Sequence, residues 1–93
     1  MNKYELLYII SSSATDEQKE ELVKKINSLI ENKGGEIEGT DKWGMKKFAY
    51  PINYKNEGYY VLVNFSINPE MIKEINNAMN ITENVVRQIF VKK

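Results

Sequence analysis

A chain of 93 residues with no cysteine and no histidine has room for one domain, residues 1–93, with one modest core that buries roughly 60–65% of the unfolded surface. This composition excludes a disulfide framework, a thiolate metal site, a thiol nucleophile and the commonest general base. The formal net charge is zero, from 13 basic and 13 acidic side chains, which argues against a protein that coats nucleic acid without selectivity.

Tyr4 to Ile10 is nearly continuous in apolar character and reads as a central strand. Ser11-Ser12-Ser13 is a polar loop. Thr15-Asp16-Glu17-Gln18 has capping-box spacing, with acids in the first turn where the helix dipole favours them. Leu22, Val23, Ile26, Leu29 and Ile30 then form one apolar stripe, and Gly34-Gly35 ends the helix. A long second strand, or pair of strands, runs from Glu36 to Tyr54. Its alternation changes parity near Gly44, as a bulge would cause. Lys55-Asn56-Glu57-Gly58 reads as a turn, and Tyr59 to Ile67 as a third strand. Asn68 caps a second helix with Pro69 at its first position. Ile72, Ile75 and Met79 form its stripe, and Asn80 ends it. Val85 to Val91 is a fourth strand.

The order β-α-β-β-α-β predicts an α+β, ferredoxin-like fold: a four-stranded antiparallel sheet with two helices on one face. The most apolar strands, the first and third, belong in its centre. Glu5, Asn64 and Ser66 should point away from the helices, which turns Leu6, Tyr8, Ile10, Val61, Val63, Phe65 and Ile67 inward. By the same parity Leu7, Ile9, Tyr60 and Leu62 lie on the face without helices, and an apolar patch there marks an interface. In the fourth strand Arg87 argues for one register and Gln88 for the other.

No nucleophile–base pair, phosphate-binding glycine loop, zinc spacing or calcium loop is present, so neither catalysis nor a metal or cofactor is expected. No leader is visible and no apolar stretch reaches membrane-spanning length, which makes a cytoplasmic location the expectation. The charges are unevenly spread. Lys42, Lys46, Lys47 and Lys55 fall in one acid-free stretch, and Arg87, Lys92 and Lys93 in another. Such clustering is a better footprint of nucleic-acid binding than net charge. Within Trp43 to Ile52, two adjacent lysines lie among aromatics, a glycine and a proline. Lysine and proline there protect a sheet edge, or cations and aromatic faces meet phosphates and bases.

Tyr4-Glu5, Gly34-Gly35, Trp43-Gly44, Lys46-Lys47-Phe48-Ala49-Tyr50-Pro51-Ile52, Gly58-Tyr59-Tyr60 and Val85-Val86-Arg87 together resemble the bacterial small-subunit ribosomal protein S-six family. The resemblance covers essentially the whole chain, and the Ala-Tyr-Pro segment after a basic pair is its most specific part. It implies a ferredoxin-like fold, binding to the central domain of small-subunit ribosomal RNA, and pairing with ribosomal protein S-eighteen. The family's basic pair is usually arginine-rich. Lys46 and Lys47 keep the charge without the bidentate geometry, and residue 2 is Asn where the family has a basic residue. On this reading the RNA contacts are Lys46, Lys47 and Arg87, with Asn2, Lys3 and Lys92 secondary. The partner contacts are Leu7, Ile9, Trp43, Tyr50, Tyr60 and Leu62. The alternative is a self-associating or small-molecule-sensing ferredoxin-like module that uses the same apolar face.

Overall fold

The computed structural model describes the backbone of residues 1–52 and 55–93, and the side chains of residues 1–45 and 58–93. The elements are β1 (Asn2–Ser11), α1 (Asp16–Asn32), β2 (Glu36–Ile52), β3 (Lys55–Ile67), a 3₁₀ turn over Pro69–Met71, α2 (Ile72–Asn80) and β4 (Val85–Lys92). They build one antiparallel sheet in the order β2-β3-β1-β4, so the two most apolar strands are central.

Local chemistry explains where the elements begin and end. Gln18 N–H donates to the Thr15 hydroxyl at 3.1 Å, and Thr15 N–H donates to the Gln18 side chain at 2.9 Å. The capping box thereby satisfies two N–H groups that a helix start leaves unpaired. At the other end, Gly34 turns back with φ +87° and Gly35 N–H reaches the Ile30 carbonyl at 2.9 Å. A Cβ on Gly35 would lie 2.6 Å from Ile30 Cγ2, so only glycine fits there. The second helical segment departs from the expected single helix. Asn68 does cap it, accepting from Glu70 N–H at 3.0 Å, but Met71 N–H bonds to the Asn68 carbonyl and the first turn is 3₁₀.

The strands show two further differences. The register of β2 against β3 shifts between Lys42 and Gly44, where Gly44 takes φ +85°, as the change of parity predicts. It also shifts between Ile37 and Gly39. The turn expected at 55–58 is instead the start of β3. Lys46 pairs with Gly58, Lys47 with Glu57 and Ile52 with Lys55, so the two-stranded ladder continues past Gly58. Backbone pairing along a long hairpin outweighs the turn preference of a short polar segment.

The core lies between the sheet and the two helices. Leu6, Tyr8, Ile10, Val61, Val63, Phe65 and Ile67 of the central strands meet Val23, Ile26 and Ile30 of α1 and Ile75 and Met79 of α2. Burying such a side chain stabilises the fold by about 1.5–3 kcal/mol. The inward set expected from strand parity is buried throughout. Tyr4 adds to it by stacking on Phe65 with centroids 6.0 Å apart.

Candidate nucleic-acid and partner interface

The sheet face opposite the helices is laid out by strand register. Leu7 stands between Leu62 of β3 and Ile89 of β4. Ile9 stands between Tyr60 and Arg87, and Glu5 between Asn64 and Val91. Beyond Leu62, on β2, lies Asp41. Leu7, Tyr60 and Leu62 are partly exposed. Ile89 and Val91 are 43% and 50% exposed and join the same apolar surface. Sequence parity missed these two because the register of the fourth strand was open. The structure selects it: Gln88 turns to the helix side, where its amide donates to Asn76 at 3.0 Å and also to Asn80. That hydrogen bonding puts Arg87, Ile89 and Val91 on the open side. No signal within the strand itself could choose between the registers, because the deciding contact joins β4 to α2.

One partner candidate stands apart from the rest. Ile9 is only 6% exposed in the chain alone. It lies on a central strand between Tyr60 and Arg87 and is outside the main core cluster. Its burial therefore comes from neighbours on its own face, which leaves it little surface to offer a partner. Trp43, 46% exposed, sits at the β2 register shift, between Lys42 opposite Val61 and Gly44 opposite Tyr60. Tyr50, Lys46 and Lys47 lie outside the described side chains.

The remaining basic candidates divide between the two faces. Arg87 and Lys3 have open-face register, but they lie at opposite ends of β1, about 20 Å apart. Asn2 and Lys92 pair with Ile67 and Tyr4 and so have the parity of the covered face. Lys93, beyond the end of β4, returns over the open side. Its Nζ donates to Asn64 Oδ1 at 2.6 Å and lies 3.3 Å from Glu5 Oε1. The cations near the C-terminus therefore form no single patch, although the sequence clusters them.

On the helix side, a cavity between α1, β2 and β3 is lined by Asp16, Lys19, Glu20, Val23, Lys42 and Tyr59. Its charges largely answer one another. Lys19 Nζ is 3.6 Å from Asp16 and stands 5.1 Å over the Tyr59 ring. Among the described residues, no group of three or more acidic side chains converges to hold a metal ion. Deeper in, the Tyr8 hydroxyl is buried without a hydrogen-bond partner. Burial, and secondarily the neighbouring Tyr59, hold its pKa well above the ordinary phenol value.

The chain is thus a two-layer α+β domain of ferredoxin-like topology, with one sheet face covered by helices and the other open and partly apolar. The family model described as Ribosomal protein S6 matches residues 3–92. The chain is 45% identical over 92 residues to small ribosomal subunit protein bS6 of Fusobacterium nucleatum, covering 99% of this chain and 98% of that one. It is 43% identical over 91 residues to the bS6 protein of Clostridium novyi, covering 98% and 96%. The crystal structure of 30S ribosomal protein S6 from Thermotoga maritima superposes with a TM-score of 0.95 at 30% identity, covering 99% of this chain and 87% of that one. The chain belongs to this family, whose members are non-enzymatic structural proteins of the cytoplasmic small ribosomal subunit.

Proposed function

We propose that this chain binds the central domain of small-subunit ribosomal RNA together with ribosomal protein S-eighteen, and that the open sheet face receives the protein partner. The carrying observation is the contiguous apolar surface of Leu7, Tyr60, Leu62, Ile89 and Val91 on the side without helices. A solvated apolar patch of this kind costs free energy in the free chain, and a partner removes that cost. Ile9 supports the patch from within. Trp43 and Tyr50 extend the contact along the β2–β3 hairpin.

The RNA is held at the margins by phosphate neutralisation. Arg87 flanks the apolar surface, and Lys46 and Lys47 belong to the long hairpin. Lys3, Asn2 and Lys92 lie at the opposite end and serve as secondary contacts. The test is co-sedimentation of tagged chain with small ribosomal subunits. Leu62→Glu is expected to abolish co-sedimentation while leaving the circular dichroism spectrum intact. Normal co-sedimentation of this variant, or its unfolding, overturns the assignment of the face.

A further inference from the structure

The open face is electrically polarised across its width. Its β2 edge carries Glu36, Glu38 and Asp41, and its β4 edge carries Arg87, with Lys93 beyond it. Between them lie Leu62, Leu7 and Ile89 in one register row. Lys93 is engaged by Glu5, and Glu38 accepts from the Ser66 hydroxyl at 3.0 Å. Asp41 and Arg87 are both exposed and form no ion pair among the described residues. The face therefore asks for an occupant that is apolar in the middle, basic opposite β2 and acidic opposite β4.

A second copy of this chain has that pattern. We propose that, away from its ribosomal partners, the chain pairs with itself through this face, as a dimer whose two-fold axis lies between the sheets and parallel to the strands. That axis superimposes the β2 edge of one copy on the β4 edge of the other. Asp41 of each copy then comes close to Arg87 of the other, and the Leu62, Leu7 and Ile89 rows stack. Face-to-face sheets pack about 10 Å apart with strands within about 30° of parallel, so alternating side chains interdigitate. The interface is isologous, so each charge pair occurs twice. The face measures roughly 20 by 25 Å, and two copies bury about 1,000 Å² in total, at the low end for specific association. The dimer is accordingly weak, with a dissociation constant in the micromolar range, and yields to a tighter partner on the same surface. It shields the apolar patch in free protein and excludes premature contacts there.

Sedimentation equilibrium of the free chain tests this without RNA or partner, so its failure leaves the proposed function standing. A monomer–dimer equilibrium in the micromolar range is expected, weakened by added salt. Asp41→Lys and Arg87→Glu should each weaken it by about tenfold, since each reversal turns two attractions into repulsions. The double variant Asp41→Lys with Arg87→Glu should recover to within about threefold of the starting value. Circular dichroism checks that each variant folds. A chain that stays monomeric throughout the micromolar range overturns the proposal, as does a double variant no tighter than either single one.

Discussion

Leu6 and Leu7 are identical neighbours on one central strand, and the molecule treats them in opposite ways. Leu6 points into the helix-covered layer and is fully buried, whereas Leu7 points to the open face and stays partly exposed. The same contrast holds along β3, where Val61, Val63 and Phe65 are buried and Tyr60, Leu62 and Asn64 are not. One sheet thus carries two surfaces of similar chemistry. The first is consumed in folding. The second remains in contact with water, and its apolar character is a cost that the free chain bears.

The largest expected effects test that difference directly. Leu6→Ala should destabilise the chain by about 2–5 kcal/mol, through lost transfer energy and the cavity left behind. Ile26→Ala, on the α1 side of the same layer, belongs in that range. Leu7→Ala should cost about 1 kcal/mol or less, because water already reaches the site. Chemical denaturation of the three variants decides the matter, and equal losses for Leu6 and Leu7 would erase the distinction between the faces.

Tyr8 sharpens the comparison from inside the covered layer. Its hydroxyl is buried without a partner, so Tyr8→Phe should raise stability by about 1 kcal/mol. The pH dependence follows from the raised pKa. The unfolded chain releases this proton near pH 10, while the folded chain retains it to higher pH. The contribution is therefore constant below about pH 10 and is lost as pH rises further. Denaturation curves at alkaline pH should show a shallower decline for Tyr8→Phe than for the unchanged chain.

The smallest effect on stability is expected at the hairpin. Replacing Lys46 and Lys47 together by alanine should change thermal stability little, since single lysine charges contribute weakly to folding. It should reduce the slope of log affinity for ribosomal RNA against log salt by roughly one to two units. Binding titrations at several salt concentrations measure that slope. An unchanged slope would assign the two lysines to protection of the β2 edge.

Signals of short range were legible in the chain. Thr15 and Gln18 announce the start of α1, Gly34-Gly35 its end, and Gly44 a break in the β2 ladder, because each depends on residues within a turn of one another. Alternation along β1 and β3 sorted core from open face for the same reason, since strand parity is a local period. The element order, and with it the fold, follows from these local facts and the rules for connecting strands.

What the sequence left open depends on lateral neighbours. The register of β4 was decided by Gln88 meeting Asn76 and Asn80 of α2, a contact across two elements. Ile9 shares its parity with Leu7, yet it is buried where Leu7 is not, and the strands that flank it differ in what they present. The acid-free run at the end of the chain promised one basic patch, but successive residues of β4 face opposite sides and Lys93 is taken up by Glu5. The extension of β3 back to Lys55 came from its ladder with β2, against the turn preference of its own residues. Sequence by itself determined the order of the elements and which side of each central strand faces the helices, because those properties have periods of two or 3.6 residues. Only the tertiary structure decided which charges share a face and which apolar side chains remain uncovered, because those depend on strands distant in sequence that hydrogen bonding brings side by side.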